Sequence, residues 1–332
     1  MLPVSKKFLV LFLIILLSGI KTLGQTKKID SLRQVLRTAG MDTNRVKALG
    51  FLSSLIGANN PDTAIILASQ SLLLSKKLKW KKGEAVAELK LGNLNHSISN
   101  QKKALFHFNN GLNVCEALLA SQNPIDIKYG KKIKGTIIGN IAGVYQAQGN
   151  LPKALEYYLN GLKIAEEVGD KHAIGRGFNN LATVFVTQAN YPKALKYYFK
   201  SLKTAEEFGD KKGIGLILGN IANVYTAQEN YPEALEYYFN GLRNSEESGH
   251  KIEVGRTLGN IANVFKVQVF SAVSKNDMVF AKTKLYPKAL EYYLKSLKLL
   301  KKWEINVAPE QRFATWDHYT PLWVNIKKLK VI

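Results

Sequence analysis

The sequence predicts an all-α fold, a solenoid of about six stacked helix–turn–helix repeats. The first observation is the quartet Gly-Asn-Ile-Ala, which occurs at 139–142, 219–222 and 259–262. These positions differ by multiples of 40 residues, and we call this regular spacing the 40-residue frame. Prolines near the middle of three units recur at the same spacing of 40 residues: Pro152, Pro192 and Pro232. A fixed period of about 20–50 residues is typical of arrays in which each unit buries its apolar faces against its neighbours.

Each repeat contains two helical patterns separated by a turn. In one copy the first half has apolar residues at steps of three, one and three residues, which places them on one helical face: Leu218, Ile221, Ala222 and Tyr225. The second half has a similar face: Ala234, Leu235, Tyr238 and Leu242. A proline loses no needed hydrogen bond in a first helical turn, so Pro232 predicts a helix start. Gly169 and Gly209 predict the ends of second helices.

This unit resembles the tetratricopeptide repeat, whose first helix has apolar, small and aromatic positions and whose second has alanine, aromatic and small positions. The matching residues in one repeat are Ile141, Ala142, Tyr145, Ala154, Tyr158 and Gly161. The motif EExGDK stands where the closing proline is usual, as in a long 40-residue variety. The resemblance covers roughly residues 44–300 and implies a right-handed superhelical solenoid whose first helices line a concave groove.

The frame also predicts the domain organisation. A capping helix is expected within 25–43, the repeat array within 44–303, and an irregular tail or cap within 304–332. The sixth repeat has an insertion near 269–284, which predicts a longer loop or a helix extension.

The second repeat departs from the frame at two places. Leu91-Gly92-Asn93 predicts an early end to its first helix. Pro124 within Ser121–Tyr129 predicts an enlarged loop after its second helix.

The N-terminus has the layout of a secretory signal peptide over residues 1–24. Lys6 and Lys7 precede the apolar run Phe8–Leu17, and small residues precede a plausible cleavage site after Gly24. The protein is therefore expected in a periplasm or outside the cell. The alternative is that residues 8–20 are not cleaved and anchor the protein in the inner membrane. In that case this segment is the only part of the chain expected to contact a membrane.

Composition and motifs argue against catalysis, cofactors and metals. Cys115 is the single cysteine, so there is no intrachain disulfide, and no two of the five histidines have ligand spacing on a helix. The sequence contains no phosphate-binding GxxxxGK[ST] motif. The net charge of +22 is interpreted mainly as lysines that serve solubility, although it would suit an acidic partner. The basic stretch Lys76–Lys90 suits nucleic acid, but the export signal and a packing role for Trp80 argue against that.

A polar line of asparagines remains on the first helices once the apolar face is assigned. Asparagine is a poor interior helix residue, so its strict recurrence suggests a purpose. The resemblance implies that these side chains bind the backbone of an extended peptide; the alternative is that they bond neighbouring helices. The candidate groove residues are Asn140, Asn180, Asn220, Asn260, Asn223, Asn263, Arg256 and Lys266. The last two would favour an acidic ligand.

Two functions follow from this interpretation. The first is a non-catalytic exported scaffold that binds a protein or peptide in its groove. The second is a sensor, because the opening DTNRVKALGFLSSL and the long repeats resemble the extracytoplasmic part of bacterial membrane-bound histidine kinases or nucleotide cyclases. The sequence leaves open the ligand, the oligomeric state, signal cleavage and whether the tail is native.

Overall fold

The computed structural model describes residues 23–38 and 40–302, which are almost entirely helical. The predicted all-α solenoid of stacked helix pairs is confirmed. Residues 1–22 of the predicted signal peptide and the predicted tail 304–332 lie outside the described residues. By its contacts the chain divides into two compact units, one that ends at Asn230 and one that begins at Tyr231.

The first unit contains a leading helix and successive helix pairs. Its helices are α1 Leu23–Thr38, α2 Thr43–Ile56, α3 Pro61–Lys77, α4 Lys81–Ser97, α5 Gln101–Leu119, α6 Pro124–Ala147, α7 Leu151–Val168, α8 Lys171–Thr187, α9 Tyr191–Glu207 and α10 Lys211–Ala227. The even-numbered helices from α2 to α10 are the first helices of the repeats, and α3, α5, α7 and α9 are the second helices. The first helices α2, α4, α6 and α8 each pack on the second helix of their own repeat, and these four helices also contact one another in sequence.

The helix starts follow from a recurring cap. An asparagine side chain accepts the backbone N–H three residues later at the start of each second helix of this unit, at Asn60 (3.1 Å), Asn100 (3.2 Å), Asn150 (3.3 Å) and Asn190 (3.2 Å). Such a cap stabilises a helix by about 1 kcal/mol. Gly169, at φ 69°, ends α7 in the left-handed conformation that glycine adopts without steric cost.

Small residues let the helices of a repeat approach closely. Ala142 and Ala154 are both 0% exposed, and the buried ring of Tyr158 fills the space beside them. In the next repeat the buried Ser201 hydroxyl donates to the Gly175 carbonyl oxygen at 2.8 Å. This bond satisfies a buried polar atom while it joins a second helix to the first helix of its own repeat.

The second unit is built in the same way, with one irregular connection. Its helices are α11 Tyr231–Glu247, α12 Lys251–Ser274, the short α13 Met278–Phe280, a π-helical turn Ala281–Leu285 and α14 Tyr286–Lys302. The region 269–284 is therefore helical over most of its length. Val269 and Ala281 from this region and Leu285 just after it are buried, which ties the connection to the α12–α14 pair.

Two expectations about the second repeat are wrong. The helix α4 does not end at Leu91-Gly92-Asn93 but continues to Ser97. Gly92 lies within this helix at a close approach, because a Cβ atom there would meet the Phe108 ring. The segment Ser121–Tyr129 is not an enlarged loop, because α6 begins at Pro124. The side chain of Asn123 accepts the backbone N–H of Ile125 at 2.9 Å, so cap and proline together start a longer helix.

Candidate functional site

The first helices of the first unit carry a polar face that crosses from repeat to repeat. We call it the first-helix face. Four side-chain hydrogen bonds join neighbouring first helices along it: Lys90 Nζ to Ser54 Oγ, Asn140 Nδ2 to Asn93 Oδ1 (2.7 Å), Gln146 Nε2 to Thr183 Oγ1 (3.4 Å) and Asn220 Nδ2 to Asn179 Oδ1 (3.0 Å).

The asparagines predicted as ligand contacts also bond neighbouring helices. Asn140 and Asn220 each donate one amide N–H to an asparagine of the preceding repeat. A primary amide has two N–H donors and an oxygen with two lone pairs, so one bond leaves capacity for a ligand. The two interpretations offered by the sequence are therefore compatible, since the bond orients the amide without saturating it.

The other predicted residues of the first unit lie on this face with different surroundings. Asn180 is half-buried on α8, and its backbone carbonyl accepts the Thr183 hydroxyl at 2.7 Å. Asn223 is exposed on α10, one turn beyond Asn220. The face thus combines half-buried amides with an exposed one.

The remaining candidates belong to the second unit, where all of them lie on α12. Asn260 is half-buried, and the Asn263 side-chain oxygen accepts the Tyr293 hydroxyl. Arg256 forms an ion pair with the buried Glu253, so its charge is partly balanced within the helix. Burial lowers the pKa of the Lys266 ammonium. The ion pair with Glu253 offsets part of the positive charge that the sequence suggested for an acidic ligand.

Sequence reasoning missed Lys90 and Phe51. Lys90 occupies on α4 the place that Asn140 occupies on α6, and burial lowers the pKa of its ammonium. Its Nζ lies 5.9 Å from the ring centroid of Phe51, which is 58% exposed. An alignment of α4 with α6 would have identified this lysine. The repeat pattern does not indicate that the Phe51 ring is exposed.

Gln146 is held from two sides. Its side-chain oxygen accepts the Tyr158 hydroxyl at 3.0 Å, while its amide donates to Thr183. Burial raises the pKa of Tyr158 to about 12, so the phenol stays a hydrogen-bond donor at neutral pH. The core of one repeat thus fixes an amide on the first-helix face.

Family models identify the repeats. Residues 135–207 match one tetratricopeptide-repeat model, and residues 217–249 match a second tetratricopeptide-repeat model. The chain therefore contains tetratricopeptide repeats in the segments that carry Asn140, Asn180 and Asn220, and this part of the resemblance is confirmed. A search of curated proteins finds no match.

Solved structures share the fold at low identity. BtubC (BKLC) from P. vanneervenii is 18% identical with a TM-score of 0.56, over 74% of this chain and 92% of that chain. A Rap protein complexed with Competence and Sporulation Factor is 14% identical with a TM-score of 0.56, over 83% and 80%. The signal transduction ATPase PH0952 from Pyrococcus horikoshii, described with a tetratricopeptide repeat sensor, is 16% identical with a TM-score of 0.56, over 86% and 42%.

Two further properties concern only residues 23–38 and 40–302. No helix there is long and apolar enough to cross a membrane. Nor does that part of the chain bring together three or more histidine, cysteine, aspartate or glutamate side chains able to hold a metal ion.

Proposed function

We propose that the protein is an exported, non-catalytic scaffold that binds an extended protein or peptide segment along its first-helix face. The observation that carries this proposal is the pair of inter-repeat amide bonds, Asn140 to Asn93 and Asn220 to Asn179. They hold two amides at equivalent places on α6 and α10, and each amide keeps both a donor and an acceptor for a peptide unit. Pre-oriented groups lower the entropy cost of binding.

The fold supports this proposal in a general way. Tetratricopeptide repeats are commonly interaction scaffolds, and one structure with this fold is a Rap protein complexed with Competence and Sporulation Factor. The long 40-residue repeat variety adds a regular spacing that suits an extended ligand. Lys90 gives the first unit one positive group on the same face, so we expect a preference for segments with acidic side chains.

A peptide array tests the binding role. The full chain is incubated with immobilised peptides that differ in charge, and the best binder is measured by titration calorimetry against N180A and N220A. We expect each variant to weaken binding about tenfold, in line with one lost hydrogen bond to a desolvated partner. The matched control is N160A, which removes an exposed amide from the second helix α7. Equal affinity of all variants, or an equal loss in the control, would contradict the proposal.

Backbone recognition has its own test. Replacing one peptide bond of the best ligand by an ester removes a single N–H donor and keeps the side chains. If the asparagines bind the peptide backbone, the ester should weaken binding to the wild type more than to N220A. An identical loss for both proteins would assign the interaction to side chains instead.

Export is tested separately. Expression of the full gene in a bacterial host, followed by fractionation and mass measurement, should give a mature chain that begins at Gln25 in the envelope or medium. A retained N-terminus would favour an anchor formed by residues 8–20.

A sensor function is the second candidate, and one observation favours it. The structure of PH0952, which has this fold, is described as a signal transduction ATPase with a tetratricopeptide repeat sensor. Sequencing the DNA downstream of codon 332 discriminates: a kinase or cyclase reading frame would favour a sensor region, and an unrelated gene would oppose it.

A further inference from the structure

A cluster of lysines lies where the first two repeats meet the third. We call it the lysine patch; it comprises Lys76–Lys82, which joins α3 to α4, and Pro124–Lys134, the first turns of α6. The two segments are in contact, because Lys82 Nζ lies 2.6 Å from Asp126 Oδ1 and 5.6 Å from the ring centroid of Tyr129. A cleft of about 420 Å³ lies between them, lined by Lys79, Trp80, Lys81, Lys82, Ala117, Leu118, Ser121 and Asp126.

Most of this charge is not balanced by nearby acids. Four lysines of the patch have acidic partners: Lys81 with Glu84 (3.0 Å), Lys82 with Asp126 (2.6 Å), Lys132 with Asp170 (3.0 Å) and Lys134 with Glu116 (2.7 Å). Five others are exposed, and within the described part of the chain they form no ion pair: Lys76, Lys77, Lys79, Lys128 and Lys131.

The later repeats show that the turn itself does not need these lysines. The equivalent turn after α7 reads EEVGDKH where the patch reads KKLKWKK, so Glu166 and Glu167 stand in the places of Lys76 and Lys77. Both turns connect a second helix to the next first helix. The same local structure thus accepts either sign of charge.

Exposed aliphatic side chains accompany the lysines. Leu73, one turn before the end of α3, is 70% exposed, and Ile125, beside Asp126, is 69% exposed. In the later repeats Lys163 and Lys203 stand in the place of Leu73. Lysines interspersed with exposed aliphatic groups are typical of surfaces that lie at a membrane interface.

We propose that the lysine patch docks the protein onto a membrane surface that contains anionic lipids. The unpaired lysines contact lipid phosphates, and Leu73 and Ile125 enter the boundary between headgroups and acyl chains. Lys82 binds the Asp126 carboxylate, and this hydrogen bond is the main cause that lowers the pKa of Asp126. The carboxylate thus stays ionised and paired, and headgroups meet the remaining lysines.

The composition of the patch favours a lipid surface over nucleic acid. Neither segment contains an arginine, the residue whose planar fork recognises phosphate in a bidentate way. Trp80 is half-buried with Lys47 Nζ 5.8 Å from its ring centroid, so its face is not an open platform for a base. Lysine ammonium groups attract phosphate without requiring a fixed orientation, which suits a fluid layer of lipid headgroups.

The experiment measures vesicle binding of the full chain together with hydrogen–deuterium exchange. Vesicles contain either phosphatidylcholine alone or phosphatidylcholine with phosphatidylglycerol, so the ratio of the two affinities cancels any contribution of the apolar N-terminal residues. The test variant is K76E/K77E, which copies the residues of the later turn. The control is K163E/K203E, which makes the same change of charge on exposed second-helix positions.

We expect the anionic-to-neutral affinity ratio to fall by at least about thirtyfold in K76E/K77E, from two lost lysine–membrane contacts. The control should retain most of the ratio. Anionic vesicles should slow exchange in 73–82 and 124–134 but not in 163–172. Unchanged exchange in the patch, or equal losses in both variants, would overturn the proposal. So would protection of the patch by a single-stranded oligonucleotide but not by vesicles, which would assign it to nucleic acid.

Discussion

The first two repeats and the next two share a frame but differ in chemistry. Phe108 and Tyr198 fill the same core position, and Asn100 and Asn190 cap the same helix. Yet Glu88 and His107 of the second repeat occupy the places of Phe178 and Tyr197 of the fourth, whose ring centroids lie 6.2 Å apart. The frame tolerates this exchange because a buried acid can be satisfied by one neighbour.

The Glu88–His107 pair is a polar substitute for an aromatic contact. Glu88 Oε2 lies 2.8 Å from His107 Nδ1, and the glutamate side chain is only 4% exposed. An ionised carboxylate only accepts hydrogen bonds, so Nδ1 is the donor when Glu88 is charged. The pair lies beside an open cleft of about 500 Å³, which His107 lines together with Ile66 and Phe106. The comparison teaches that the contact between the two helices of a repeat can change from aromatic to polar while the core ring and the helix cap beside it are kept.

The largest expected effect comes from the shared core position. F108A and Y198A should each lower the free energy of unfolding by about 4 kcal/mol, because a buried ring is lost and a cavity remains. Guanidinium unfolding followed by circular dichroism measures both. If one variant proved nearly neutral, the two regions would not share an equivalent core.

Breaking the polar pair should have the next largest effect. H107A leaves the buried Glu88 carboxylate without its partner and should lower the free energy of unfolding by about 3 kcal/mol. The double variant E88F/H107Y copies the fourth repeat and should recover most of this loss, because an apolar pair needs no compensation. A double variant less stable than H107A would show that the second repeat cannot accept the aromatic pair.

Alkaline pH separates the regions through tyrosines. Burial raises the pKa of Tyr158 and Tyr198 to about 12, whereas the equivalent Phe108 does not ionise. The unfolded tyrosine ionises near pH 10, so the unfolded state loses protons first as pH rises. Stability is therefore lost between about pH 10 and pH 12, by roughly 3 kcal/mol per tyrosine. The variant Y198F should reduce this slope, while an unchanged slope would place the ionising group elsewhere.

The smallest expected effect concerns the caps. N100A and N190A should each cost about 1 kcal/mol, because each leaves a helix N-terminal N–H without its side-chain acceptor. Thermal unfolding of each variant beside its serine counterpart, which retains an acceptor, measures the cap alone. If only one of the two variants lost stability, equivalent caps would not contribute equally to the stability of their repeats.

Much of the fold was predictable because it repeats. The positions of Ala142, Tyr158 and Gly169 recur in the frame, and their burial and conformation follow from local packing and turn geometry. The errors at Leu91-Gly92-Asn93 and Ser121–Tyr129 arose where the frame is weak. There, Gly92 serves the close packing of Phe108 rather than a helix end, and the Asn123 cap starts a helix at Pro124; neither role is visible from the glycine or the proline alone.

The candidate site was predictable only in part. The period placed Asn140, Asn180 and Asn220 on successive first helices, because their spacing in the chain follows the repeat. The partners Asn93 and Asn179 required the tertiary structure, since these bonds depend on the offset between neighbouring helices.

The sequence by itself determined the kind of repeat, the helix starts and ends of the regular units, and the charge of each turn, because these depend on residues close together in the chain. The tertiary structure alone decided which amides bond across repeats, that Lys82 reaches Asp126 to join two segments into the lysine patch, and that Glu88 is buried beside His107. Such contacts depend on how helices that are far apart in sequence pack against each other. The 40-residue frame does not specify them, because different side chains and different offsets between helices are compatible with the same spacing.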